Sequence, residues 1–355
     1  MQCGDLWRMA RRSPQAEFGR HHHPAPYATL VGMPAPIPLP DALAGRPFSR
    51  DEATAAGLPS HVIRPPRFRR LHPRVWVPSG HEMTGCDVVR AAMLAVGPDV
   101  AVSHESRLRL LGVQAGPPGP VRFLVDTDLH LDLDGVMVHR TKAMPPLDGV
   151  GVAPYAAYVC AGHTRRLLDL VVLGDFLLHR GHATAEQIAS MALEDRWRPG
   201  AGRILRVVPW LDARARSPKE SELRVILVAA GLPVPEVNVD LVVGGRWMGC
   251  VDLLFRDFLL VVEYEGRQHA SDDEQFNSDI SRYGRFRRNR VQYVQITNAM
   301  LRQPRAVVRH VYDELVAQGY AGPAPEFGAR WRSLFAPPPS VVPHRSAARA
   351  LGGVL

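Results

Sequence analysis

Three carboxylates in the C-terminal third of the chain, Asp252, Glu263 and Glu265, have the residue type and spacing of a metal-dependent site. Glu263 and Glu265 end an apolar run, and the two-residue period of a strand places both on one face. Burial of neighbouring carboxylates raises their pKa and is costly, and a divalent cation relieves that cost. Mg²⁺ prefers one or two carboxylates completed by water and phosphate oxygens, so the set predicts magnesium chemistry on a phosphate.

Residues that follow these acids extend the pattern. Gly266 allows a close backbone approach, and His269 is suited to proton transfer near neutral pH. A group of arginines comes next, consisting of Arg282, Arg285, Arg287, Arg288 and Arg290. These side chains either pair with the acids as ordinary salt bridges or form a groove that follows nucleic-acid phosphates.

The surrounding pattern predicts the elements that position the acids. Ser217 and Glu220 form a capping box that opens a helix. Apolar alternation then predicts a hairpin and a further strand, each followed by a helix. The expected elements of residues 211–320 are a helix at 218–230, strands at 237–243, 247–255 and 259–264, a helix at 273–288, a strand at 291–296 and a helix at 303–318. This order predicts a sheet flanked by helices.

Two stretches of this region resemble a known family. The first consists of Val251-Asp252, Val262-Glu263-Tyr264-Glu265-Gly266-Arg267-Gln268-His269, and Asp279 with Arg282. The second lies upstream and consists of Ser217-Pro218-Lys219-Glu220-Ser221 with Arg224. They are similar to the small endonuclease-like domain related to very-short-patch-repair (Vsr) endonucleases, which occurs in actinobacterial proteins and belongs to the restriction-endonuclease-like superfamily. The resemblance implies a restriction-endonuclease-like mixed sheet flanked by helices, and phosphodiester hydrolysis that depends on Mg²⁺ or Mn²⁺.

The resemblance also implies a role for each acid. Asp252 and Glu263 match the two metal-binding acids of the superfamily, assisted by a nearby backbone carbonyl. Glu220 matches an acid that the first helix often adds, and His269 matches a histidine of the Vsr-like branch that acts as acid or base. Glu265 stands at the superfamily's lysine position, where acids are usual in this subfamily, and no lysine follows Glu220 in this chain.

A small basic module is predicted at residues 47–80. Ser49 and Glu52 form a capping box ahead of a short helix, and Ser60 caps a second helix at helix-turn-helix spacing. Residues 61–76 hold five arginines and two histidines with no acid, and residues 71–77 are expected to form a wing strand. The arginines expected to contact nucleic acid are Arg64, Arg67, Arg69 and Arg70. The alternative is a solvated basic face or a partner-docking module.

Residues 86–210 are predicted to form a mixed α/β middle region, with a strand at 123–133 and a polar linker at 198–202. Together with residues 47–80, this region resembles the N-terminal part of the same actinobacterial proteins. There, a winged-helix module similar to the AbiEi-type antitoxin N-terminus precedes a middle region. The matching residues here are Arg70-Leu71-His72, Ser103-His104-Glu105 and Leu168-Asp169-Leu170.

Composition limits the remaining possibilities. A length of 355 residues predicts two to three domains at about 150 residues each. We expect residues 1–46 to be a disordered tail, with Met33 as an alternative start, and residues 321–355 to be a flexible tail. The four cysteines form no metal-binding or disulfide pattern, which favours a reducing, cytoplasmic location. No apolar run is long enough to span a membrane.

The net charge of +8 permits nucleic-acid binding, and nearly all of the basic residues are arginine. Three functions follow from the sequence. The first is a Mg²⁺-dependent DNA endonuclease that a basic N-terminal module delivers to nucleic acid. The second is a DNA-binding regulator or antitoxin-like protein with a vestigial nuclease fold. The third is an interaction protein in a toxin–antitoxin or defence system.

Overall fold

The chain divides into two units, residues 1–38 and residues 39–355. The computed structural model describes residues 37–113, 119–265 and 282–339, and the following account concerns the second unit. Its strands form three sheets, and helices pack around them. The predicted mixed α/β class is confirmed. The domain boundaries and the two family assignments stay predictions.

The first sheet is small and basic. Its antiparallel strands, in the order β1-β3-β2, are β1 (Phe48–Ser49), β2 (Phe68–His72) and β3 (Val75–Pro78). The capping box of Ser49 and Glu52 opens helix α1 (Arg50–Ala55) as predicted. The helix expected at Ser60 is instead a single 3-10 turn (Ser60–Val62), because Pro65 and Pro66 follow it closely.

The stretch 71–77, predicted as one wing strand, is instead the turn and flanking ends of a hairpin of β2 and β3. Phe48 and Phe68 meet edge to face beneath it, with ring centroids 5.5 Å apart. Helix α2 (Gly85–Val96) then packs against all three strands, opened by a capping box at Thr84. Its buried Val89 and Ala92 belong to a separate core with Val102, Val121 and Phe123.

The middle region combines a second sheet with a layer of helices. Strands β4 (Ala101–Val102), β5 (Val121–Val125) and β6 (Val136–Arg140) form the sheet, in that order. The helices are α3 (His104–Arg109), α4 (Pro154–Ala161), α5 (Leu167–His179), α6 (Ala185–Glu194) and α7 (Ala201–Val207).

Two expectations for the middle region were wrong. The predicted strand at 123–133 ends at Val125, and the alternating acids after it lie outside any strand. The predicted linker at 198–202 instead leads into α7. Gly200 packs so tightly there that an added Cβ would lie 2.0 Å from the Val159 carbonyl oxygen. Arg198 is buried, and its guanidinium pairs with Asp195 at 2.6 Å, which satisfies its charge.

The third sheet carries the predicted acids. Its order is β10-β9-β8-β7, with antiparallel pairs except for parallel β9 and β10. The strands are β7 (Glu236–Val243), β8 (Arg246–Phe255), β9 (Leu260–Glu265) and β10 (Gln292–Thr297). The helices are α8 (Pro218–Ala229), α9 (residues 282–288), α10 (Asn298–Leu301), α11 (Pro304–Ala317) and α12 (Ala329–Ser333).

The two faces of the third sheet pack on different elements. One face joins α8, α11 and the middle helices in a continuous apolar core. The other face packs against α9 through Val261 and Phe286. A buried pair ties the middle region to this sheet, because Arg224 on α8 donates to Asp175 on α5 at 2.7 Å.

Residues 321–339 differ from the flexible tail that the sequence predicted. Trp331 and Leu334 are buried in the main core, and the Trp331 indole donates to the Ile226 carbonyl at 3.2 Å. This part of the tail therefore covers α8. In the part of the chain that the structure describes, no helix has both the length and the apolar character needed to cross a membrane.

Candidate metal-binding acidic site

Asp252 and Glu263 lie side by side on the third sheet. Leu253 of β8 pairs with Val262 of β9, so these two acids occupy the next position along the same antiparallel register. Strand alternation turns both away from the α8 face, toward α9. The backbone N–H of Tyr264 donates to Asp252 Oδ2 at 3.0 Å, which fixes that carboxylate. The sequence predicted that Asp252 and Glu263 lie close together, and the structure places them side by side.

Glu263 has a donor on each carboxylate oxygen. Tyr293 on β10 donates its hydroxyl to Oε2 at 3.1 Å. Arg282 on α9 donates Nη2 to Oε1 and, at 2.8 Å, to the Cys250 carbonyl. One strand and one helix thus hold the glutamate from two sides.

Burial dominates the electrostatics of this acid pair. Burial is the largest cause of the raised pKa of Asp252, which is about 6; the Tyr264 hydrogen bond opposes the rise and the negative charge of Glu220 adds to it. Burial is also the largest cause for Glu263, whose pKa is raised to about 7, with Arg282 opposing the rise and Asp252 adding to it. The site therefore holds more desolvated negative charge than the nearby Arg282 and Arg216 offset.

Glu220 joins the site through the start of α8. Ser217 Oγ accepts from the Glu220 N–H at 3.2 Å, which is half of the predicted capping box. The Glu220 carboxylate does not close the box. Its Oε2 accepts from the Arg216 N–H at 2.9 Å and from Asn238 Nδ2 on β7 at 2.6 Å. This arrangement keeps the acid near Asp252 and joins α8 to the edge strand.

Of the other two predicted catalytic residues, only Glu265 lies among the described residues, and it is not bonded to these acids. Glu265 is exposed at the end of β9, opposite Thr297 of β10. It shares a strand face with Glu263 but forms no hydrogen bond or ion pair with the acid pair. His269 and Gly266 lie outside the described residues, so the structure says nothing about a proton-transfer group from that segment.

Asp252 and Glu263 fit the donor set of a Mg²⁺ ion, which takes one or two carboxylates together with water and phosphate oxygens. Asp252 Oδ1 has no hydrogen-bond partner among the described residues, while Oδ2 is held by the backbone. Within residues 37–113, 119–265 and 282–339, no group of three or more His, Cys, Asp or Glu side chains is arranged to hold a metal ion. Among the described residues, the protein donors available here are therefore the two acids and backbone atoms.

The predicted nucleic-acid-binding arginines form two separate groups. On β2 and just before it, Arg64, Arg69 and Arg70 are exposed, whereas Arg67 is half-buried with its guanidinium 5.3 Å from the centre of the Phe68 ring. The second group lies on α9, where Arg287 and Arg288 are exposed and Arg285 is half-buried. Arg282 begins the described part of α9 and faces inward, onto Glu263.

A second buried polar cluster lies in the middle region. The rings of His104 and His139 stack with centroids 4.6 Å apart, and His163 meets His104 edge to face at 5.5 Å. Arg122 Nη1 lies 2.9 Å from His139 Nε2, and burial together with this cation lowers the pKa of His139 to about 4. These histidines are therefore neutral at pH 7, and they contribute packing and hydrogen bonds rather than charge.

Two curated relatives match part of the chain. Each is an uncharacterized protein of Mycobacterium tuberculosis, one from strain CDC 1551 / Oshkosh and one from strain ATCC 25618 / H37Rv, and each is 29% identical over 155 residues. The match covers 42% of this chain and 57% of each relative, so the chain spans little more than half the length of these relatives. No family model matches the chain. No solved structure matches it.

Sequence reasoning missed Tyr293, which holds Glu263, and also Asn238 and Arg216, which hold Glu220. Tyr293 carried a usable signal, because it alternates with the apolar residues Val294 and Ile296 in a predicted strand and so belongs to the opposite face. The contacts of the other two depend on how α8 crosses the sheet. No local pattern indicates that crossing.

Proposed function

We propose that this chain is a Mg²⁺-dependent endonuclease that hydrolyses phosphodiester bonds in DNA. The observation that carries the proposal is the adjacent, half-buried pair Asp252 and Glu263, whose pKa values are both raised by burial. Two desolvated acids on neighbouring strands are costly unless a cation compensates them. Mg²⁺ that is held by one or two carboxylates completes its coordination with water and phosphate oxygens, so a phosphodiester is the substrate class that suits this site.

Each residue of the site has a definite task in this proposal. When bound at Asp252 and Glu263, Mg²⁺ neutralises charge on the scissile phosphate and makes a water more acidic. The Tyr264 N–H orients Asp252, and Tyr293 orients Glu263 through its hydroxyl. Glu220 contributes negative charge from the start of α8. Because Glu263 ionises near pH 7, the site takes up a cation more readily as the pH rises above that value.

The basic hairpin of β2 and β3 is proposed to deliver the chain to nucleic acid. Arg69 and Arg70 lie on β2 and Arg64 just before it; all three are exposed, and none forms a salt bridge among the described residues. Arg69 and Arg70 each donate one hydrogen bond to a backbone carbonyl, at 2.7 Å to that of His81 and at 3.3 Å to that of His72. Arginine binds phosphate through a planar fork of donors, so an exposed set without carboxylate partners is suited to the DNA backbone. Such contacts position the protein but read no sequence.

The test is a cleavage assay with purified protein, plasmid DNA and single-stranded DNA, in the presence of Mg²⁺ or Mn²⁺. The Asp252→Asn/Glu263→Gln variant removes both charges with little change of shape. Asp257→Asn, on the exposed turn between β8 and β9, is the matched control. We expect cleavage by the wild type and the control and none by the double variant. Equal cleavage by all three proteins would place the activity elsewhere.

A specific observation favours one other candidate, a DNA-binding regulator without catalysis. Arg282 already compensates Glu263, and the chain has no lysine after Lys219 to stand in the lysine position of the superfamily. Arg282 in the place of a metal ion beside Glu263 suits a nuclease fold that has no catalytic activity. Salt-sensitive DNA binding by the wild type, without cleavage under any metal condition, would favour this regulator.

A further inference from the structure

A cleft of about 700 Å³ lies between α5 and the start of α8. One wall is apolar and comes from α5, where Leu168, Val172, Leu173 and Phe176 face the space. The opposite wall is the first turn of α8, with its N-cap residue Ser217. Its volume is within the range of pockets that bind small organic ligands.

The mouth of this cleft is rich in cations. Its lining side chains include Arg165, Arg166, Arg180, Arg216 and Lys219, against only two carboxylates, Asp169 and Glu222. Arg166 and Lys219 are committed to those two acids, at 2.7 Å each. Arg180 and Arg216 are exposed and form no salt bridge among the described residues. The positive end of the α8 dipole adds to the same potential.

Arg216 also connects the cleft to the acid pair. Its Nη1 lies 3.6 Å from Cys250 Sγ on β8, and its charge opposes the rise in the pKa of Asp252. Its own N–H holds Glu220 at 2.9 Å. One arginine side chain therefore spans from the cleft to the candidate site.

We propose that the cleft binds one nucleotide of a single nucleic-acid strand, with the base against the apolar wall and a phosphate at Arg180 and Arg216. The apolar wall suits the flat face of a base. The guanidinium of Arg180, which lies 5.9 Å from the centre of the Phe176 ring, and that of Arg216 have no carboxylate partner among the described residues, so they suit a phosphate. A base that is paired in a duplex is not free to enter, so the preferred ligand has unpaired bases. This inference rests on the proposed function, because it assigns the ligand to the strand that is cleaved at Asp252 and Glu263.

The test measures binding without catalysis. Deoxyadenosine monophosphate and, separately, 2-deoxyribose 5-phosphate are titrated into full-length protein by calorimetry in EDTA, followed by a short oligonucleotide as single strand and as duplex. Val172→Trp fills the cleft and Arg180→Ala removes a phosphate partner. The matched controls are Leu193→Trp on α6 and Arg196→Ala beyond it, both at exposed positions outside the cleft. Circular dichroism checks that each variant is folded.

We expect the mononucleotide to bind, the base-free sugar phosphate to bind at least about tenfold more weakly, and the single strand to bind more tightly than the duplex. Val172→Trp and Arg180→Ala should each weaken nucleotide binding by about tenfold, whereas both controls bind like the wild type. Equal binding of the two small ligands, no binding at all, or unchanged binding by Arg180→Ala would overturn the inference.

The Asp252→Asn/Glu263→Gln protein separates this inference from the proposed endonuclease. It changes none of the residues that line the cleft, so it should keep the preference for deoxyadenosine monophosphate over 2-deoxyribose 5-phosphate. A chain that binds the nucleotide in the cleft but cleaves no DNA would count against the endonuclease alone. A chain that cleaves DNA but fails the binding test would count against the cleft alone.

Discussion

Arg282 and Glu263 form the ion pair at the centre of the acidic site, joining α9 to β9. The arginine side chain is 22% exposed and that of the glutamate is 12% exposed, so water screens the pair only partly. Arg282 Nε is buried without a hydrogen-bond partner, so the guanidinium is not fully satisfied in this position. A protein cation therefore holds one of the two proposed metal ligands.

Replacing Arg282 should make the site more dependent on metal. In Arg282→Met, Glu263 loses its cationic partner, so the protein should be less stable by about 2 kcal/mol at pH 8. Added Mg²⁺ should then raise the melting temperature of the variant more than that of the wild type, because binding to the folded state alone stabilises it. Thermal unfolding with and without Mg²⁺ measures both effects.

Arg288→Met is the control for this experiment, because Arg288 is exposed on the same helix. It should respond to Mg²⁺ as the wild type does. If Mg²⁺ shifts the melting temperature of Arg282→Met no more than that of Arg288→Met, the acid pair does not bind the metal.

The raised pKa of Glu263 predicts a stability that falls as the pH rises. The folded state keeps its proton up to about pH 7, whereas an unfolded glutamate loses it near the ordinary value of 4.5. Stability is therefore lost between pH 4.5 and pH 7. Glu263→Gln should be more stable than the wild type by about 3 kcal/mol at pH 8 and nearly equal to it at pH 4.5. Urea unfolding at the two pH values tests this, and a difference that is independent of pH would contradict it.

The histidine cluster predicts the opposite dependence at lower pH. His139 titrates near pH 4 when folded and near 6.5 when unfolded, so the unfolded state binds the extra proton between these values. Stability is present above pH 6.5 and is lost as the pH falls to 4, by about 2 to 3 kcal/mol for this group.

His139→Gln should reduce that loss, because the glutamine oxygen still accepts from Arg122 but does not titrate. The measurement is the free energy of unfolding at pH 6.5 and at pH 4.5, compared between the variant and the wild type. His130→Gln, at an exposed histidine after β5, is the control and should leave the pH dependence unchanged. A steeper loss in His139→Gln than in the wild type would refute the assignment.

The exposed arginines of β2 should control the salt dependence of DNA binding. If Arg69 and Arg70 contact phosphates, Arg69→Ala/Arg70→Ala lowers the slope of log K against log salt by about 0.9 for each lost contact. The variant Arg196→Ala, whose arginine is exposed in the middle region, should keep the wild-type slope. Fluorescence anisotropy with labelled duplex over a range of salt concentrations distinguishes the two. Equal slopes would remove the hairpin from the DNA interface.

Local sequence patterns predicted many features correctly. The capping boxes at Ser49 and, in half, at Ser217 follow from residues three positions apart, so they depend on no distant part of the chain. The adjacency of Asp252 and Glu263 is also local in origin, because β8 and β9 are consecutive strands and their hairpin sets the register. Within the third sheet, each described strand lies within about a residue or two of its expected bounds.

Other features were decided by tertiary structure alone. Residues around Arg198 and Trp331 look polar or irregular in sequence, yet both side chains are buried because distant helices cover them. The sequence allowed Arg282 either to pair with the acids or to bind phosphate, and the packing of α9 on the sheet directs it to Glu263.

The sequence by itself determined the class of the fold, the identity of the paired acids and the basic character of the N-terminal hairpin. These depend on residue type and on spacings of two to four residues. Only the tertiary structure decided which cation compensates Glu263, where Glu220 is anchored and where a cleft opens beside the acids. Each of these requires two elements far apart in the chain to meet, and the side chains involved satisfy their charge and hydrogen bonds only in that packed arrangement.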